Sequence, residues 1–191
     1  MSTFNEIWFE ICEDNILSFE ETHYLYEIIK TSTKLIGNTA EIGVYKGNIS
    51  KMIKMMTPYK IHYCYDTFNG IVGSNPELGD YHSDHEYCCT LKDVQKKINS
   101  ENVIYKQGYF PDTFDEEKQT FSSIYCDTGT YIGTESSFQS FRNTIVTGGK
   151  IIYYIGKNCN GVENAITKIL QSNIDDFIIS FDSSFCIFQR I

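Results

Sequence analysis

No two of the seven cysteines have the CxxC spacing of a zinc knuckle or a redox motif. Seven is an odd count, and Cys64, Cys126, Cys159 and Cys186 lie in or beside apolar segments, where a thiol behaves as a small hydrophobe. Reduced structural cysteines in an intracellular protein are therefore expected. There is no basic cluster to offset the 25 acidic against 16 basic side chains, which leave a net charge of -9. Such a field repels phosphate backbones and anionic lipid, which argues against nucleic-acid partners and a membrane-surface role. No apolar run approaches a membrane span. The N-terminal stretch carries Asn5, Glu6, Glu10 and Glu13 in place of a basic start and an apolar run, so no signal peptide is expected and a cytoplasmic location follows. Repeats, low-complexity tracts and domain linkers are also missing. What remains is one domain over 1–191, with a helical extension at about 1–36.

A chain of 191 residues that is 41% hydrophobic and 21% charged is globular in composition. Surface scaling predicts a folded area of about 9,300 Å² and burial of about 70% of the unfolded surface. Leu17, Tyr24, Leu25, Ile28, Ile29 and Leu35 recur at helical spacing over 17–35, with Ser18 as N-cap, Glu21 completing a capping box, and Gly37 and Asn38 as the stop. This helix could cover the main sheet or pack against a second subunit, so a homodimer is possible. Strand patterns at 39–44, 61–65, 102–106, 122–126 and 150–155 alternate with helical patterns at 48–56, 91–98, 134–147 and 162–172. Strands separated by helices imply a parallel sheet with right-handed crossovers. The runs 177–181 and 185–190, joined through Asp182, Ser183 and Ser184, leave no room for a crossover helix and predict an antiparallel addition. Residues 69–89 form the longest irregular stretch, which predicts a functional lid or a partly helical loop.

Three places along this pattern could carry chemistry. Glu41-Ile42-Gly43-Val44-Tyr45-Lys46-Gly47-Asn48 lies where the first strand turns into a helix, and its glycines allow close backbone approach to a ligand. It is neither GxGxxG nor a P-loop, and a plain tight turn is the alternative. Asp66 ends the second strand, 23 residues after Gly43, where a carboxylate can accept both hydroxyls of a ribose; an ordinary turn aspartate is the alternative. Asp127 ends the fourth strand beside the expected switch point, where it could orient a substrate, act as a base, bind a metal, or only cap a turn. His82 or His85 of the lid could accept a proton there. His62, within a strand, reads as structural, and His23 as surface.

The order of these motifs resembles the macrocin O-methyltransferase family, S-adenosylmethionine-dependent enzymes that methylate sugar hydroxyls on macrolides and related products. The likeness runs from the Glu41–Gly47 segment through Asp66-Thr67-Phe68-Asn69-Gly70, Thr90 to Val94, Gly108-Tyr109-Phe110-Pro111-Asp112-Thr113, Asp127 with Tyr131 and Thr134, Gly148-Gly149 and Cys159 to Glu163. It implies a Rossmann-like class I methyltransferase α/β fold, a seven-stranded sheet in order 3-2-1-4-5-7-6 with strand 7 antiparallel. It further implies S-adenosyl-L-methionine as cofactor, held by Glu41, Gly43, Tyr45, Gly47, Asp66, Thr67 and Phe68. The acceptor, a hydroxyl-bearing small molecule such as a sugar, would meet Tyr109, Phe110 and Tyr131, with Asp127, His82 and His85 as catalytic candidates.

Members of that family usually bind magnesium through paired aspartates. Here Gly129 stands where the second aspartate of the fourth-strand motif would be, and Lys150-Ile151-Ile152-Tyr153-Tyr154-Ile155-Gly156 has no carboxylate. Asn158 or Asn160 would be poor substitutes for a cation that wants several hard oxygens. The expectation is an O-methyltransferase without the metal; the alternative is a catalytically degenerate binding or interaction module. A nicotinamide-linked oxidoreductase shares the ribose aspartate but lacks the glycine fingerprint.

Overall fold

The computed structural model describes residues 2–115, 118–156, 159–182 and 184–191; Asn158 and Ser183 lie outside them. The elements follow in the order α1 (Phe4–Ile11), α2 (Phe19–Lys30), β1 (Asn38–Ile42), α3 (Asn48–Met56), β2 (His62–Asp66), a 3-10 turn (Pro76–Leu78), α4 (Leu91–Ile98), β3 (Val103–Gln107), β4 (Phe121–Cys126), α5 (Tyr131–Phe141), β5 (Ile145–Tyr154), α6 (Asn160–Leu170), β6 (Phe177–Asp182) and β7 (Phe185–Arg190). They build one seven-stranded sheet in the order β3-β2-β1-β4-β5-β7-β6. β1 to β5 pair in parallel, and β7 runs antiparallel to both of its neighbours. Strand order and the reversed strand agree with the sequence expectation.

The two-residue period of the strands sorts side chains onto two covered faces. Ala40, Ile42, Tyr63, Tyr65, Ile124 and Ile151 meet Phe138 and Phe141 of α5 and Val162 and Ile166 of α6. On the other face Tyr125, Ile152 and Ile187 pack on α1, α2 and α3, while Cys64 meets Val94 and Ile98 of α4. The N-terminal helices thus supply much of one core: Ile7, Ile11, Leu25 and Ile29 are fully buried there. Accessible surface is 9267 Å², close to the scaling value. Among the described residues no helix is long and apolar enough to cross a membrane.

The largest departures from the sequence reading fall at α1, at the end of α2 and between α5 and β5. Within the expected helical extension, α1 was not resolved as a separate helix, although Thr3 and Glu6 form a full capping box and Phe4, Ile7 and Ile11 share one face. α2 starts as expected, with Ser18 and Glu21 capping reciprocally, but it ends at Lys30. Thr31, Ser32 and Thr33 follow, and their hydroxyls donate to the carbonyls of Ile28, Ile29 and Lys30, competing with further helix. The third departure is α5, which ends at Phe141 and yields Ile145–Gly149 to a longer β5.

Behind β1 lies a buried polar chain. Thr39 Oγ1 meets His62 Nδ1 at 2.9 Å, His62 Nε2 meets Ser50 Oγ at 2.9 Å, and Ser50 donates to Glu41. Burial, with Lys54 nearby, pushes the His62 pKa down to about 3, so this histidine is neutral and structural as expected. His23 is exposed on α2 and tilts against Phe4.

Candidate functional site

A cavity of about 940 Å³ opens at the C-terminal ends of β1, β2, β4 and β5, where parallel sheets collect ligands beside the β1/β4 switch point. Gly43, Tyr45, Asp66, Thr67, His82, Tyr109, Phe110 and Asp127 all line it. Eight residues singled out from sequence are therefore brought together.

The turn after β1 sets its floor. Gly43 has φ +82, and a Cβ there would lie 2.1 Å from the Asp127 carbonyl oxygen, so only glycine lets the β1 turn close onto the end of β4. Asp66 ties this turn to β2. Its Oδ2 accepts the amides of Val44 at 2.7 Å and Tyr45 at 2.9 Å, and its Oδ1 accepts that of Phe68 at 2.7 Å. A carboxylate offers about four acceptor positions, so three chain amides leave one for a ligand. In this geometry the carboxylate on which the ribose expectation rests also holds the loop, and it lines the cavity. Thr67 is likewise engaged locally, donating to the Gly70 carbonyl at 2.6 Å.

Five expected site residues do not line the cavity. Glu41 alternates with Ile42 and so faces α3, where it is buried and accepts from Ser50; burial holds its carboxyl well above the usual range. Gly47 caps α3 and faces Val94 and Ile98 of α4. Phe68 is buried beside Val94 and Ile98 of α4. Tyr131 opens α5 with its amide bound to Asp80 at 2.7 Å and its ring under Lys168. His85 is exposed, with Nδ1 3.2 Å from the Asn69 carbonyl.

At the other end of the cavity Asp127 is held chiefly by burial at a pKa raised to about 6; the Tyr125 hydroxyl and His82 pull in the opposite direction. Tyr125 donates to its Oδ2 at 3.3 Å. His82 stands over Gly129, where an added Cβ would lie 3.4 Å from its Cδ2.

The 69–89 stretch is a folded loop rather than an open tether. The Ile71 amide donates to the Glu86 carbonyl, the His85 amide donates back to the Ile71 carbonyl, and the Ser74 amide donates to the Asp84 carboxylate at 3.0 Å. Asp80 anchors it: one carboxylate oxygen accepts the Asn75 amide at 2.9 Å, and the other accepts the amide that starts α5. Gly161 at the start of α6 donates to the Gly79 carbonyl at 2.9 Å and must lack a side chain, since a Cβ would fall 1.9 Å from Asp80 Oδ1.

Sequence reasoning missed the wall contributed by Ile16, Ser18, Glu21, Tyr154 and Ser184. Glu21 takes its own capping bond from the Ser18 amide at 2.9 Å, then accepts Ser184 Oγ at 2.7 Å and the Tyr154 hydroxyl at 3.4 Å. Burial works to raise its pKa, and these bonds outweigh it and lower the pKa. The capping-box signal located this carboxylate on a helix; its approach to the cavity depends on tertiary packing.

Among the described residues no three His, Cys, Asp or Glu side chains are grouped to hold a metal. Around Asp127 stand Gly129 and the apolar and phenolic end of β5, which offer no second carboxylate. This donor set does not fit magnesium.

No family model matches the sequence, and no curated protein matches it. Solved structures do. The O-methyltransferase NovP superposes with a TM-score of 0.71 at 18% identity, over 92% of this chain and 83% of that one. CalS11, the calicheamicin methyltransferase, gives 0.69 at 13%, over 97% and 90%. TomG from Streptomyces achromogenes, an O-methyltransferase of tomaymycin synthesis solved with S-adenosylmethionine, gives 0.65 at 10%, over 98% and 88%. With its strand order and reversed seventh strand, the chain has the class I methyltransferase fold.

Proposed function

We propose that the protein is an S-adenosylmethionine-dependent O-methyltransferase acting on a hydroxyl of a sugar or small glycosylated molecule, and that it works without magnesium. The observation that carries the reading is the single cavity joining the Gly43–Asp66 turn to Asp127 and His82. Its size suits a nucleoside cofactor together with a small acceptor. Glu21, Asp66, Asp127 and Glu163 line it, a field that favours a cationic sulfonium. When bound, S-adenosylmethionine supplies an electrophilic methyl group.

The chain's own residues position and deprotonate. The Gly43 turn permits close backbone approach, with Tyr45 and Tyr109 as aromatic walls. Holding an acceptor oxygen in line with a methyl group accounts for much of the rate of such a transfer. In this reading His82 and Asp127, which both line the cavity, serve the acceptor hydroxyl as it gives up its proton. NovP and CalS11, both methyltransferases in name, support the activity by likeness of fold.

A second reading, a retained binding shell without turnover, draws on the missing magnesium ligands. Calorimetric titration with S-adenosylmethionine and S-adenosylhomocysteine, with and without EDTA, tests the site first. Micromolar binding that EDTA leaves unchanged is expected; no heat from either compound refutes the cofactor assignment. Methyl transfer to a panel of methyl glycosides then separates enzyme from shell.

A further inference from the structure

We propose that Glu86 is a positioning residue that makes His82 the base of the reaction. The inference rests on the methyltransferase reading and adds the residue that prepares its proton acceptor. The two side chains are four positions apart in the 69–89 loop, with His82 Nδ1 2.9 Å from Glu86 Oε2. The imidazole is 17% exposed and the carboxylate 47%, so the pair spans the lid from cavity side to solvent side. Tyr81 and Tyr87 hold the ring edge-on, with centroids at 5.5 and 5.1 Å. The Cδ2 corner of the ring, away from Nδ1, lies against Gly129 near Asp127, and His82 lines the cavity. No hydrogen bond reaches Nε2 among the described residues. His85 has neither feature, since it is exposed and does not line the cavity.

A carboxylate on Nδ1 places the proton there and leaves Nε2 as the lone-pair acceptor of a ring that lines the cavity. In the balanced step the acceptor O–H bond breaks and its proton goes to Nε2. The new O–CH3 bond forms as the S–CH3 bond breaks, and that electron pair returns to sulfur. Imidazolium is then stabilised by Glu86 and loses its proton to solvent through the exposed side of the lid. In this step the base takes the proton directly, without a metal to raise the acidity of the hydroxyl.

The test has two readouts. Long-range 1H–15N spectra of the protein saturated with S-adenosylhomocysteine report the His82 tautomer without any acceptor. Nδ1–H is expected in wild type and in Glu86→Gln, whose carbonyl still accepts, and is lost in Glu86→Ala. With methyl α-L-rhamnoside and methyl β-D-glucoside as acceptor probes, His82→Gln should lower kcat by about 10²- to 10⁴-fold. Glu86→Ala should lower it about 10- to 100-fold, with KM for S-adenosylmethionine unchanged. The double variant should be no slower than His82→Gln alone. An Nε2–H tautomer in wild type, full kcat in Glu86→Ala, or additive losses overturn the dyad alone. A wild type that binds the cofactor and methylates neither glycoside overturns the activity reading, and the base with it.

Discussion

Gly43 and Gly47 offer an internally controlled test of how the site is built. Both have the left-handed backbone, φ +82 and +83, so an alanine at either carries the same conformational penalty of about 1–2 kcal/mol. They differ in what the new methyl meets. At Gly47 it comes no nearer than 3.1 Å to the Val94 and Ile98 side chains, which can shift; at Gly43 it falls 2.1 Å from the Asp127 carbonyl oxygen and 2.7 Å from its carbon, which are backbone. The β1 turn must then lift off β4, adding about 1–3 kcal/mol of overpacking strain. Gly47→Ala should therefore lose about 1–2 kcal/mol and keep its cofactor affinity. Gly43→Ala should lose about 2–5 kcal/mol by the same arithmetic and bind S-adenosylhomocysteine at least tenfold more weakly, because the displaced turn carries the Val44 and Tyr45 amides with it. Urea unfolding and calorimetry measure both quantities. Equal losses at the two positions, or unchanged affinity in Gly43→Ala, would refute the claim that this contact sets the floor of the cavity.

Other consequences are equally direct. Asp127 has a folded-state pKa raised to about 6, so its ionisation opposes folding: the penalty is absent below pH 3, grows through pH 4–6 and is complete above it, at up to about 3 kcal/mol. Asp127→Asn should accordingly raise urea stability at pH 7.5 and have little effect at pH 3; a gain independent of pH contradicts this. Glu21→Ala removes the capping bond to Ser18 and the bonds to Ser184 and Tyr154, for a loss of about 1–3 kcal/mol, measured by urea unfolding, with Glu21→Gln intermediate. Asp80→Ala frees the Asn75 and Tyr131 amides, so hydrogen exchange should accelerate over 70–88; unchanged protection there would mean that Asp80 does not anchor the lid.

The fold was legible because hydrophobic period and segment length act locally. The bounds of α3, α4 and β7 follow from runs of side chains that only one periodicity satisfies, and the hairpin follows from a gap too short for a helix. Boundaries slipped where hydroxyls, not hydrophobes, decided them, as at Thr31, Ser32 and Thr33. Within the site, strand-end residues such as Asp66 and Asp127 could be placed from topology. Glu41 could not, because a one-residue step along β1 turns its side chain to the other face, and motif resemblance is blind to that alternation. Tyr131 and His85 are near the cavity in sequence order, but their side chains are committed elsewhere. Glu21 and Ser184, 163 positions apart, meet only once both ends have packed on the sheet.

That last meeting bears on synthesis. A nascent chain still lacking 177–191 has no β7, no Ser184 partner for Glu21, and an unsealed flank beside Tyr154. A small molecule in the crevice therefore meets this wall complete only after residues 177–191 have left the ribosome, so ligand cannot act as a cotranslational scaffold for it.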